Sequence, residues 1–363
     1  MNNPIQDTIL LGQSLWYDNI QRRILENGEM EGLITRGDIR GMTSNPSIFN
    51  HAIARSSDYD SALIPLAKSG WDAEKIFWDL ATKDIQSALH LFTPLYQESE
   101  GQDGFVSLEV NPSYAHDTDA TFNQAKYLWH EINKPNLMVK IPATLEGLPA
   151  IRMAIAEGIN VNVTLIFSID RYIDVMQAYL NGINDRLILG KSVSNISSVA
   201  SFFVSRLDSK IDAHLAENSN LRGKAAIANT KMAYLKFSEV FGKNEFKKLQ
   251  EAGCQYQRPL WASTSTKNKN YPDTLYVDEL IGPNTVNTVP PDTLDAFRDH
   301  GTAKITISQG VEEAFKTIKD LEKENVFIES VTKELEEEGV KAFSDAFTAL
   351  LETIEMRRQQ AVE

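Results

Sequence analysis

The chain predicts an α/β fold of the (β/α)8 TIM barrel type, with helical insertions and a C-terminal helical extension. Three observations carry this. Short apolar runs alternate with amphipathic stretches about eight times along the chain. Polar, reactive side chains recur where those runs end, as a barrel requires, because it builds its sites at the C-terminal ends of its strands. The Gly-rich phosphate turn of a doubly wound nucleotide-binding sheet, G-x-G-x-x-G or a Walker motif, occurs nowhere.

The runs read as strands are Leu15–Tyr17, Gly41–Ser44, Phe105–Leu108, Leu137–Ile141, Val161–Phe167, Val199–Val204, Leu260–Ala262 and Thr285–Val289. Asp18 closes the first, Asn45 the second and Glu109 the third, and Lys140 sits near the end of the fourth. Asn162 and Thr164 lie on the fifth, Ser201 on the sixth, and Ser263 just past the seventh. A barrel of this type uses about 250 residues, and a chain of 363 has more than that. Residues 53–102 read as a helical insertion, with a helix over Trp71–Leu91. The tail from about Gln309 carries Phe343, Phe347, Leu350, Leu351 and Ile354 at helical spacing. Its run Glu334–Glu338 reads as a solvated helix face. With no Pro-, Gly- or Ser-rich linker and no internal repeat, residues 1–363 are expected to form one domain.

Lys+Arg 36 against Asp+Glu 50 gives a net charge of −14. Such a surface repels nucleic acid and anionic membranes, so neither is expected as a partner. An anionic substrate would need a local cationic site. The single cysteine, Cys254, excludes an intramolecular disulfide and any Cys-cluster metal site, and a quiet structural role is expected of it. The 6 histidines show no metal-ligand spacing, so no metal is expected. The N-terminus lacks the basic flank and apolar core of a signal peptide, and no apolar run approaches the roughly 20 residues of a membrane span. A soluble, cytoplasmic protein is the expectation.

Lys140 stands inside Leu137-Met-Val-Lys-Ile-Pro142. A lysine in an apolar run ordinarily belongs to an edge strand, with its ammonium in water, but a closed barrel has no edge. There it must face the helices or the barrel mouth. At the mouth, desolvation pushes an amine toward the roughly 7–8 range in which it is nucleophilic at neutral pH and can form a Schiff base. Glu109, one strand away, is either a salt-bridge partner or a general acid/base for imine chemistry. Asp18 reads as a helix N-cap or as a second carboxylate that removes a hydroxyl proton. Thr43-Ser-Asn-Pro-Ser47 reads as a turn and cap. His116-Asp-Thr-Asp119 looks metal-like but fits the start of the helix carrying Phe122. Arg206 and Ser263-Thr-Ser-Thr-Lys267 read either as polar loop or as a phosphate site of the kind barrels place after strand seven.

Taken together, Ser14-Leu-Trp-Tyr-Asp18, Thr43-Ser-Asn-Pro-Ser-Ile-Phe49, Val106-Ser-Leu-Glu109, Val139-Lys-Ile-Pro-Ala-Thr144 and Ile159-Asn-Val-Asn-Val-Thr-Leu-Ile-Phe167 resemble the transaldolase family, in its order and over most of the chain. The length and the opening motif are more like its longer bacterial subfamily. The resemblance implies a transferase of the pentose phosphate pathway that needs no cofactor. It would move a dihydroxyacetone unit from sedoheptulose 7-phosphate or fructose 6-phosphate to an aldose phosphate. By motif match Lys140 would form the Schiff base. Glu109, through a water held by Thr164, would move the protons of imine formation and hydrolysis, and Asp18 would take the C4 hydroxyl proton. Asn45, Asn162 and Ser201 would bind the dihydroxyacetone unit, with Thr43 supporting Asn45, while Arg206 and Ser263 would bind phosphate. Shorter members carry Ser-Phe-Arg after strand seven; here Lys267 replaces that Arg, or Ser265 occupies its place.

Two rivals within reach are a fructose-6-phosphate aldolase, which releases dihydroxyacetone to water, and a metal-dependent barrel enzyme using Asp18, Asn45 and Glu109. Phe203 leans toward the transferase, since the related aldolases carry a Tyr at the matching place. A sugar-phosphate binder without catalysis has no use for a desolvated lysine. Many family members are dimers, so a homodimer is one expectation, although no apolar surface stripe specifies an interface.

Overall fold

The computed structural model describes residues 3–54 and 56–362. Eight parallel strands close into a barrel in sequence order: β1 (Gln13–Asp18), β2 (Gly41–Thr43), β3 (Phe105–Glu109), β4 (Leu137–Pro142), β5 (Val161–Ile166), β6 (Ser198–Phe203), β7 (Gln257–Ala262) and β8 (Thr285–Val289). Every run read as a strand is one. Nearly all strand residues are buried, because helices cover the outside and side-chain layers fill the inside.

The differences lie at the strand ends. β1, β6 and β7 begin earlier than their apolar runs, at Gln13, Ser198 and Gln257. These polar side chains are buried yet bonded inside the barrel floor, where Gln257 Nε2 donates to Ser198 Oγ at 3.0 Å and Gln13 Nε2 to the Leu280 carbonyl at 2.7 Å. Polarity therefore does not exclude them from a strand. β5 stops at Ile166 rather than Phe167, after a bulge between Val163 and Ile166 in which Leu165 takes a left-handed φ of 61°.

Between β2 and β3 run helices Pro46–Ala54, Asp60–Lys68 and Ala73–Glu98. The last, expected over Trp71–Leu91, starts where Asp72 accepts the Lys75 amide at 2.8 Å, and it continues through Pro94. The tail forms helices Val311–Lys323 and Ile328–Val362. The latter buries Phe343, Phe347, Leu350 and Ile354. It packs on helices Pro46–Ala54 and Asp60–Lys68 on one side and on helix Ser205–Asp212 on the other, so it straps the C-terminal face of the barrel. At Gly339 the helix sits close on the barrel: a Cβ there would lie 3.1 Å from Leu165 Cδ2 and 3.3 Å from the Phe167 ring.

The acidic run is more than a solvated face. Lys210 reaches Glu334 at 2.8 Å and Glu338 at 2.5 Å, and Arg171 meets Glu336 at 3.2 Å. Among the described residues no helix is long and apolar enough to cross a membrane.

Candidate active site

A cavity of about 240 Å³ opens at the C-terminal ends of the strands. Register explains its composition. Parallel pairing sets Glu109 beside Lys140 and Lys140 beside Asn162, so three adjacent strands aim three polar side chains from one level of the barrel. The same logic sets Asp18 beside Thr43. Of the residues singled out in the sequence, Asp18, Thr43, Asn45, Lys140, Thr164, Ser201, Phe203, Arg206, Ser263 and Lys267 all line this one cavity. Glu109 and Asn162 lie behind its wall.

Lys140 points into the mouth and is 5% exposed. Its Nζ lies 3.2 Å from Glu109 Oε2, a charge contact whose angle is poor for a hydrogen bond, and it donates to the Ser44 carbonyl at 3.2 Å. Burial pushes the Glu109 carboxyl above the ordinary range, and the neighbouring Lys140 pulls against that. Glu109 Oε2 and Thr164 Oγ1 are buried atoms without a hydrogen-bond partner among the described residues.

Asp18 is not a helix cap. The helix Arg22–Glu26 starts after Gln21, and the Asp18 carboxylate turns into the cavity instead. Its Oδ1 accepts from Thr43 Oγ1 at 2.6 Å, and Thr43 Oγ1 is 2.7 Å from Thr288 Oγ1. Thr43 thus holds Asp18 rather than supporting Asn45. Desolvation pushes the Asp18 carboxyl up, while the Thr43 hydrogen bond and the charges of Lys140 and Lys267 hold it down. Asn45 is a cap, accepting the Ile48 amide at 3.0 Å, and lines the cavity as well. Ser201 Oγ donates to Asn162 Oδ1 at 2.7 Å, and Asn162 Nδ2 donates to Ser107 Oγ at 3.0 Å, which fixes both amide ends.

One part of the cavity is cationic. Arg206 and Lys267 converge there with Ser263 and Ser265, and Lys267 Nζ donates to Ser265 Oγ at 2.5 Å. Burial lowers the pKa of both cations; their mutual repulsion lowers Lys267 further, and Glu338 raises Arg206. Ser263 holds a left-handed φ of 55°, a conformation that costs a non-glycine residue free energy and is concentrated at functional sites. Its Oγ lies 3.0 Å from Ser205 Oγ. After strand seven, Ser265 and Lys267 both reach the cavity.

The metal-like group is structural: Asp117 caps helix Thr118–Ile132 through the Ala120 amide, and His116 pairs with Glu146 at 3.1 Å. Cys254 is buried 3.4 Å from Tyr179 Oη, and burial pushes its thiol up to about 11. Sequence reasoning missed Ser47, Thr288 and, above all, Phe343, which enters the cavity from the C-terminal helix. Its place in an apolar helical stripe gave no sign of this.

The family model for transaldolase/fructose-6-phosphate aldolase matches residues 15–354. The chain is 44% identical to transaldolase 2 of Nostoc sp., over 95% of this chain and 94% of that protein. It is 44% identical to a transaldolase of Parafrankia sp., over 98% of each chain. It is 46% identical to a transaldolase of Mycolicibacterium smegmatis, over 94% of each. The chain that brings Lys140, Glu109 and Asp18 together at a barrel mouth with Arg206 and Lys267 thus belongs to the transaldolase/fructose-6-phosphate aldolase family.

Proposed function

We propose that the protein is a transaldolase that moves a dihydroxyacetone unit from sedoheptulose 7-phosphate or fructose 6-phosphate to an aldose phosphate, through a Schiff base on Lys140. The observation that carries this reading is the buried Lys140 Nζ, aimed into the mouth with Glu109 at 3.2 Å. Its amine adds to the ketose C2 carbonyl and expels water to give the protonated imine. Asp18 takes the C4 hydroxyl proton, the C3–C4 bond breaks, and its electron pair flows into the imine, which serves as the electron sink without a metal. The aldose leaves, an acceptor aldehyde enters, and the same steps run in reverse.

The buried Glu109 Oε2 and Thr164 Oγ1, each with a free hydrogen-bonding position, support a shared role in moving protons to and from the carbinolamine oxygen through a water. Asn45 and Ser201 line the part of the cavity where the dihydroxyacetone hydroxyls would lie, and Asn162 orients Ser201. Arg206, Ser263, Ser265 and Lys267 bind the phosphate, supplying the local positive charge that a chain of net charge −14 otherwise lacks. The same reading carries a cytoplasmic location and a homodimer.

Borohydride trapping with fructose 6-phosphate, followed by peptide mass spectrometry, tests the reading. The expected result is a ketose- or dihydroxyacetone-derived adduct on the Lys140 peptide, absent from Lys140→Met. Turnover without any adduct would discard the imine mechanism. A coupled assay for dihydroxyacetone released without acceptor separates transferase from aldolase.

A further inference from the structure

Most of the cavity is built from strand ends and the loops that follow them, where a barrel site belongs. Phe343 is not. It comes from the long C-terminal helix, is 5% exposed, and sets its ring centre 5.4 Å from Lys140 Nζ. The ring packs edge-on against Phe203 with centroids 6.5 Å apart, and Phe203 in turn lies 5.1 Å from Phe167 and 5.3 Å from the Arg206 guanidinium carbon. The helix is fixed on both sides of this point. Glu334 and Glu338 hold Lys210, Glu336 holds Arg171, and Arg357 pairs with Asp60. Gly339, one turn earlier, lets the helix sit directly on Leu165 and Phe167 at the end of β5.

A phenyl ring offers no proton and no hydrogen bond to a sugar. What it does beside an amine nitrogen is occupy volume that water would otherwise fill, and present a π face that favours a cation there. From this we infer that Phe343 determines how the Lys140-bound intermediate partitions between transfer and hydrolysis. The inference rests on the transaldolase reading. After the aldose leaves, the enamine carbon C3 has two fates. It attacks an acceptor aldehyde, or it is protonated by water. In the second case water then adds to C2 of the resulting iminium, the C2–N bond breaks, and dihydroxyacetone leaves with the Lys140 amine regenerated. That path consumes one water overall and returns its proton. Phe343 and Phe203 form the apolar wall that disfavours it.

The test measures two rates on the full chain with fructose 6-phosphate: transfer to erythrose 4-phosphate, and release of free dihydroxyacetone without acceptor. Phe343→Ala is expected to raise the ratio of release to transfer about tenfold, and Phe343→Leu, which restores bulk, to stay within about twofold of the parent. A purely structural role lowers both rates together and leaves the ratio unmoved; that result overturns the inference. So does a Leu variant that behaves like Ala. Should the Ala variant not fold, Phe343→Val gives the same comparison with a smaller gap. Borohydride trapping on the parent keeps the two readings apart. No Lys140 adduct defeats the reaction assigned to the site, whereas an adduct with an unmoved ratio defeats only the role of Phe343.

Discussion

The two ends of the barrel are built from similar polar side chains and put to opposite uses. At the floor, Asp103 accepts from Ser14 Oγ at 2.7 Å and from Arg40 Nε at 2.5 Å, and pairs with Arg258 at 3.3 Å. Asn160 donates to the carbonyls of Pro135 and Leu137 and accepts the Ser197 amide, and Asn136 donates to those of Leu89 and Gly104. Charge at this end is matched by countercharge and hydrogen bonds. At the mouth, Glu109 has one lysine, badly aligned, and Asp18 has one hydroxyl donor. Both carboxyls are pushed up by burial. The floor's charged groups are paired and stabilise, although Gln13 Oε1 and Gln257 Oε1 are left without partners among the described residues; the carboxyls of the mouth keep bonding capacity free. A buried charge given full partners is structure, and one given half of them is available for chemistry.

Breaking the mouth at Lys140, the proposed nucleophile, has the largest expected effect. Lys140→Met should lose about 10⁴-fold or more in turnover while circular dichroism still reports a folded barrel. Breaking the floor should do the reverse. Asp103→Ala leaves Arg40 and Arg258 without their shared countercharge, which costs about 3–5 kcal/mol of stability in urea unfolding, with the kcat of the folded protein nearly unchanged. A floor variant that loses activity at constant stability would erase the distinction.

Smaller changes sharpen it. Thr43→Val removes the hydrogen bond that holds the Asp18 carboxyl down. The Asp18 pKa should therefore rise further and the acid limb of kcat/KM move to higher pH. Removing a charge-assisted bond of about 1.5–3 kcal/mol lowers kcat/KM at least about tenfold on that limb, with little loss at higher pH where Asp18 stays ionised. A limb that stays in place would show that another group is the base. The smallest effect concerns a carboxylate outside both ends. Asp208 accepts from the Ala226 amide and from Tyr276 Oη but pairs with no cation among the described residues, and burial raises it from 3.8 to about 6. The folded protein then binds more protons than the unfolded chain between these values, so stability should fall as pH rises from about 4 to 6. Asp208→Asn removes that cost but weakens two hydrogen bonds, for a net gain of about 1 kcal/mol at pH 7 and none near pH 4. Thermal unfolding at the two pH values checks it.

Much of the fold was legible because each barrel strand is covered on both faces and so reads as an apolar run. The cavity-lining residues stood out because they are polar side chains at the ends of those apolar runs. What was hidden depends on meetings between distant parts of the chain. Asp103 lies just before β3 and Arg258 at the start of β7, and no spacing rule joins them. Asp18 has the local look of a cap, and only the register with Thr43 shows otherwise. Phe343 sits in a helical stripe whose other members are core, and an apolar residue carries no mark of which side of a helix meets a cavity.

Gly339 gives that helix a fulcrum. Any side chain there must push off the Leu165 and Phe167 contacts by a few tenths of an ångström, and Phe343 stands one turn, about 6 Å, along the same rigid rod. The missing side chain therefore works as a calibration point: it sets how far the aromatic ring reaches over the lysine. Lengthening residue 339 by a methyl group would retune the reaction chamber from outside it, without altering any residue that lines its wall.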